Sequence, residues 1–189
     1  MSEVILVEEL MVPAEEYATV SEDATLFEAI MALEKAQEDQ DRNRFKYLHR
    51  AILVTDTAGK VVGKISQLTA IQALEPKYKD MGDLRSISAA GFSADFIKSM
   101  LDNFHLCDAS LGEMCGKGAQ IKIREFMHKP EAGECVEAEA PICEAIHQFI
   151  IGQFQSLLVV QDEEIVGILR LTDLFMKIFE IMKQCEIPK

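Results

Sequence analysis

With 189 residues, 49% of them hydrophobic, the chain is long enough to bury a real core, as one compact domain or two small ones. Its formal net charge of −13 sets an acidic surface against any phosphate backbone, which argues against nucleic-acid binding. No apolar run approaches the roughly 20 residues a bilayer demands, and Met1-Ser2-Glu3 leads from no basic region into an apolar stretch, so a soluble cytoplasmic protein without membrane insertion is expected.

A short opening strand runs into Leu10-Met11-x-Pro13. The first predicted helix starts at Thr25-x-x-Glu28, where hydroxyl and carboxylate can each satisfy a free amide. Leu26, Ala29, Ile30 and Leu33 fall on one face of it. The stretch from Glu34 to His49 is dense in charge (Glu34, Lys35, Glu38, Asp39, Asp41, Arg42, Arg44, Lys46) and reads as a solvated helical extension rather than a site. Ala51 to Thr55 is a β-branched apolar run, followed by a turn at Asp56-Thr57-Ala58-Gly59, a second strand from Val61 to Ser66, and a short helix from about Thr69.

The segment from Pro76 to Gln120 exceeds the roughly 12–15 residues typical of a structureless loop. Ser93 can cap a helix whose Phe96, Ile97, Met100, Leu101 and Phe104 form a stripe, and a second short helix is expected from Ser110 to Cys115, ended by Gly116-x-Gly118. Those glycines follow no strand, which excludes a phosphate loop. The stripe is expected to pack on the rest of the chain or a dimer mate, or to dock a partner protein.

From Phe126 the pattern begins again, about 116 positions on. Leu10-Met11 falls on Phe126-Met127, Val20 on Val136, Ala24 on Ala140, and Glu28-Ala29-Ile30 on Glu144-Ala145-Ile146. After gaps the register resumes, with Ile52-Leu53-Val54 on Leu157-Leu158-Val159 and Val62-Gly63-x-Ile65 on Val166-Gly167-x-Leu169. Pro141 opens the helix of this copy, Ile142, Ala145, Ile146 and Phe149 line its face, strands follow at 157–160 and 165–169, and a helix starts at Thr172. Each copy therefore reads strand, helix, strand, strand, helix. Two such units with incomplete cores should pack face to face and leave clefts at their junction.

The last helix, Leu174 to Lys183, is apolar except for Lys177, Glu180 and Lys183. A helix apolar around most of its circumference must be covered on most sides, so a homodimer seam is expected here. Five cysteines without a C-x-x-C pair fit reduced thiols rather than disulfides or zinc. His49, His105, His128 and His147 belong to no catalytic or metal motif, and the chain is expected not to be an enzyme and to hold no metal.

The repeated order, the openings Leu10-Met11-x-Pro13 and Phe126-Met127-x-x-Pro130, and above all Val166-Gly167-Ile168-Leu169-Arg170-Leu171-Thr172-Asp173 resemble the CBS domain, and the tandem resembles a Bateman module. The resemblance implies an α+β fold of two β-α-β-β-α repeats in pseudo-twofold arrangement, residues 1–75 and 121–189, with a helical insert at 76–120. It also implies a regulatory role, sensing an adenosine-type ligand (AMP, ADP, ATP or S-adenosylmethionine) in an inter-repeat cleft and passing a packing change to an effector protein. In the second repeat Asp173 takes the ribose-binding position. Arg170 replaces the usual hydroxyl residue beside phosphate, where its forked donors could still serve, and Thr172 lies between them. In the first repeat Ser66 keeps the hydroxyl, but Thr69 stands where the acid belongs. Backbone around Thr19 and at Cys135-Val136 would face the base, and Arg50 could add positive charge. The alternative is a dimeric interaction scaffold with degenerate clefts, in which Asp173 is a helix cap and Arg170 pairs with a neighbouring acid.

Overall fold

The computed structural model describes residues 4–39, 47–81, 93–106 and 108–184. Asp41, Arg42, Arg44 and Lys46 of the charged stretch, residues 82–92 of the insert, Cys107 and Cys185 lie outside the described residues.

Each repeat is built on a hairpin formed where the sequence is apolar and β-branched. In the first, β3 (Ala51–Thr55) and β4 (Val61–Ser66) are joined through Asp56, whose carboxylate accepts from the amides of Ala58 and Lys60, both at 2.9 Å. In the second, β6 (Ser156–Gln161) and β7 (Glu164–Arg170) are joined by two residues, Asp162 and Glu163, at φ 51° and 64°. Two positive φ values in a two-residue loop suit the right-handed twist of the flanking strands. A short parallel strand completes each set: β2 (Thr19–Ser21) beside β3, and β5 (Cys135–Glu137) beside β6.

Helices cover the outer faces. In α1 (Leu26–Asp39) the capping box forms as expected, Thr25 amide to Glu28 at 2.7 Å and Glu28 amide to Thr25 hydroxyl at 3.2 Å, and these bonds hold the Glu28 carboxyl below its usual range. Leu26 and Ala29 of the predicted stripe are buried, whereas Ile30 is 47% exposed. The sheet beneath reaches only part of the stripe. Helix α2 (Gln67–Leu74) starts two residues before the sequence expectation because the Ser66 hydroxyl accepts from the Thr69 amide and caps it. In the insert, α3 (Ala94–Phe104) is capped by Ser93, and α4 (Leu111–Gly118) by a reciprocal Ser110–Glu113 box that carries it past Cys115 to Gly118. Helix α4 packs against α2, while no residue of α3 is fully buried among the described residues: Phe96 and Ile97 are 40% and 47% exposed, and Met100, Leu101 and Phe104 are half-buried. Pro141 caps α5 (Ile142–Gly152), and α6 (Leu171–Gln184) follows β7 directly.

The two repeats exchange their leading segments. Strand β1 (Val12–Pro13) lies on β7 of the other repeat, Val12 opposite Ile168 and Pro13 opposite Gly167, giving the sheet order β1-β7-β6-β5 beside β2-β3-β4. Reciprocally, His128 bridges to Lys64 on β4. The Val7 and Glu8 amides donate to Ala140 and Ala138, both at 3.0 Å, and the Ile123 and Arg124 amides donate to Ala24 and Glu22 at 3.0 and 3.1 Å. An approximate twofold thus relates the repeats. Val7 and Ile123, both fully buried, each fill the core of the opposite repeat: Val7 among Val136, Ala145, Leu157 and Leu169, Ile123 among Ala18, Ala29, Ile52 and Ile65. Glycine is required at the crossing points, because a Cβ on Gly63 would lie 2.7 Å from the His128 carbonyl oxygen and one on Gly167 2.7 Å from that of Val12. A third cluster, Val12, Tyr17, Ala51, Leu53, Leu158 and Ile168, seals the seam between the sheets.

Candidate functional site

Side chains alternate along β7, so Arg170 shares the seam-facing side with Ile168. It is the last strand residue, and α6 begins at the next position, which places Asp173 in the first helical turn. The guanidinium grips that carboxylate with two donors, Nε to Oδ2 and Nη2 to Oδ1, the latter at 2.7 Å. Its remaining nitrogen, Nη1, crosses to the first repeat and donates to the Tyr47 carbonyl at 3.0 Å and to His49 Nδ1 at 3.3 Å. Arg170 is 5% exposed.

The first repeat supplies the opposite wall. Gln37, near the end of α1, donates through Nε2 to the His49 carbonyl at 2.6 Å, and the Tyr17 ring lies edge-on to the imidazole at 4.2 Å between centroids. His49 is 2% exposed, and burial followed by the Arg170 charge pushes it down to about 4. It is therefore neutral at pH 7, which accepting from a guanidinium at Nδ1 requires. Burial pushes the Tyr17 hydroxyl up to about 12. The Tyr47 hydroxyl donates to Met176 Sδ of α6 at 3.4 Å. The sequence expectation of a solvated helical extension from Glu34 to His49 is thus corrected at its end, where the Tyr47 carbonyl and the His49 ring accept from Arg170 and His49 is buried against Tyr17.

A second charged group bridges the seam from the other side. Lys64, 8% exposed, donates through Nζ to the Ser156 carbonyl at 3.1 Å and lies 3.8 Å from Glu134, which is itself 3% exposed and bonded to His128 Nε2 at 2.7 Å. Burial, then the Glu134 charge, raises the neighbouring Cys135 thiol above its ordinary value. At the motif positions of the first repeat, the hydroxyls of Ser66 and Thr69 lie 2.8 Å apart.

The structure brings Arg170 and Asp173 together, and separately Ser66 and Thr69. Thr172 is half-buried on α6, Val136 lies with its side chain in the second repeat's core, and Cys135, whose carbonyl accepts from Gln148 Nε2 at 2.9 Å, borders the seam. Thr19 and Arg50 are exposed. Tyr17, Tyr47, His49, Lys64 and Glu134 were not among the predicted site residues. Lys64 had a signal: it stands in an apolar strand where the second copy has Ile168. His49 stands where that copy has Phe154. An acid-lined depression of about 530 Å³, bordered by Glu137, Glu139, Glu144 and Asp162, contains none of the predicted residues and has the wrong charge for phosphate. Among the described residues no group of three or more His, Cys, Asp or Glu is arranged to hold a metal, and no helix is long and apolar enough to cross a membrane.

The CBS domain model matches residues 7–75 and 123–180. No curated protein matches the chain. Solved structures of the same fold include a CBS domain-containing protein of unknown function from Bacillus anthracis (17% identity, 93% of this chain and 94% of that one, TM-score 0.58). Another is the CBS domain of a CBS domain-containing membrane protein from Sphaerobacter thermophilus (20% identity, 92% and 87%, TM-score 0.57). A third is CBSX2 in complex with AMP (15% identity, 94% and 98%, TM-score 0.57). Two matched regions, two exchanged repeats and the shared fold lead to one conclusion: this chain belongs to the CBS domain family, as a tandem pair of the kind that forms a regulatory module.

Proposed function

We propose that the pair senses an adenosine-type nucleotide, AMP, ADP, ATP or S-adenosylmethionine, in the cleft beside Arg170 and Asp173, and passes a change in repeat packing to a partner protein. The observation that carries this reading is the composition of that cleft. Its anion-binding guanidinium and its carboxylate come from the second repeat, while Tyr17, Tyr47 and His49 come from the first. A ligand touching both repeats binds one relative packing better than another, which is the differential affinity a switch requires. Asp173 accepts from ribose, Arg170 and the α6 amides near Thr172 meet phosphate, and backbone at Cys135-Val136 borders the base. The first cleft, with Ser66, Thr69, Thr19 and Arg50, lacks the acid and binds more weakly. The solved CBSX2 complex contains AMP, which supports this ligand class. The role is binding rather than catalysis, in the reducing cytoplasm, where Cys115, Cys135 and Cys143 stay as thiols.

Calorimetry with the four ligands on wild type and Asp173→Ala tests the proposal. The expected result is binding of at least one ligand, weakened about tenfold or more by loss of a charge-assisted bond. Undiminished binding by the variant rejects the site, and no binding of any ligand rejects the sensor. The second reading, a dimeric scaffold without nucleotide, draws support from the mutual satisfaction of Arg170 with Asp173 and of Ser66 with Thr69. Both readings use a homodimer, since Phe175, Phe179 and Met182 of α6 are 65%, 44% and 59% exposed in the single chain.

A further inference from the structure

We infer that Arg170 is a clasp that gates the second cleft and makes it selective for phosphate-bearing ligands over bare nucleosides, an inference that rests on the nucleotide reading above. Both Asp173 oxygens already accept from the forked guanidinium of Arg170, so a ribose can make the same two-pronged approach to the carboxylate only when the guanidinium lets go. Two bonds between opposite full charges would then be exchanged for two bonds from neutral hydroxyls, which keep the carboxylate's charge assistance but lose the attraction of the ion pair. Arg170, 5% exposed, would also lose the Asp173 anion inside the seam. A nucleoside offers nothing to offset either loss. A phosphate does, because it presents the same forked acceptor geometry that the carboxylate presented. Ligand binding is therefore a swap of anions on Arg170, from Asp173 to phosphate, while ribose takes the vacated carboxylate.

The swap has a mechanical consequence. Nη1 of the same guanidinium ties the second repeat to the Tyr47 carbonyl and His49 of the first, on the far side of the seam. A guanidinium that turns toward phosphate strains or breaks these links. Cleft occupancy and the hold of residues 47–49 on the end of β7 are thus one equilibrium, with Tyr47 also reaching Met176 of α6.

AMP and adenosine binding to wild type, Arg170→Met and Arg170→Lys, measured by calorimetry alongside amide hydrogen exchange over residues 47–50, test the clasp. Wild type should bind AMP on the order of tenfold tighter than adenosine or more. Arg170→Met should gain adenosine affinity until the two differ by about threefold or less, and should speed exchange at 47–50. Arg170→Lys keeps the charge but cannot grip both oxygens, so it falls between, and it carries the test if the methionine variant does not fold. Unchanged exchange at 47–50 in the folded variants overturns the clasp whatever the nucleotides do. Equal affinity of wild type for adenosine and AMP overturns the swap while sparing the sensor. Should neither ligand bind, the clasp fails as a gate even where exchange rises, and the nucleotide reading of this cleft fails with it when ADP, ATP and S-adenosylmethionine do not bind either.

Discussion

Acidification from pH 7 to pH 5 should weaken the folded state through one residue, His49. Its imidazole is 2% exposed against Tyr17 and Arg170, and its folded value is about 4, against an ordinary 6.5. The folded state thus takes up a proton less readily than the unfolded chain. The resulting stability is present in full above pH 6.5 and is lost as the pH falls toward 4. At 1.36 kcal/mol per unit the whole contribution is about 3 kcal/mol, of which about 2 kcal/mol disappears between pH 7 and pH 5. With a urea slope of about 2 kcal/mol/M, the unfolding midpoint should fall by about 1 M over that interval. The decisive comparison is His49→Asn, which keeps an acceptor near the Nδ1 position but does not titrate. Urea melts of both proteins at pH 7, 6 and 5 give a double difference from which the other histidines cancel. The variant should be less stable at pH 7 and flatter with pH. Parallel curves, within about 0.5 kcal/mol across the range, would refute the idea that His49 is held neutral by its packing.

Three further outcomes test the exchanged architecture. Ile123→Ala should cost about 2–4 kcal/mol in chemical denaturation, because the residue fills the core of the opposite repeat; a loss below 1 kcal/mol would mean that this core does not depend on it. Gly63→Ala and Gly167→Ala should each cost about 1–3 kcal/mol, since the new methyl group meets a carbonyl oxygen of the crossing segment rather than a movable side chain. Thermal melts would show both variants unfolding at lower temperature than wild type. Phe175→Glu with Phe179→Glu should shift the protein toward monomer in sedimentation at micromolar concentration, and a wild type already monomeric there removes α6 as a dimer seam.

The legible parts of the fold were those with a local cause. The β3 limits agree with the run of branched apolar residues, and the Thr25–Glu28 and Ser93 caps form at the expected positions because each needs only a hydroxyl three residues before a free amide. Helix faces were less legible. Ile30 has the spacing of a core residue but stands exposed, since the width of the buried stripe depends on the sheet beneath and not on the helix. At the candidate site, Arg170 and Asp173 were found through the motif, and their mutual grip is an i,i+3 pairing across the strand-to-helix junction. His49 lies 121 positions from Arg170, and no periodicity joins residues so far apart.

By itself, the sequence determined that there are two copies of one unit, which elements each contains, and that their motif positions differ, because register and periodicity are properties of neighbouring residues. Only the tertiary structure decided that the leading segments cross over. A two-residue strand such as Val12–Pro13 carries no pairing preference of its own, and its place on β7 is set by glycine clearance and by the core that Val7 completes. The same holds for the contacts of Arg170: a buried guanidinium must find anions and carbonyls wherever packing brings them, and here packing brought one from the helix that follows its strand and one from the other repeat.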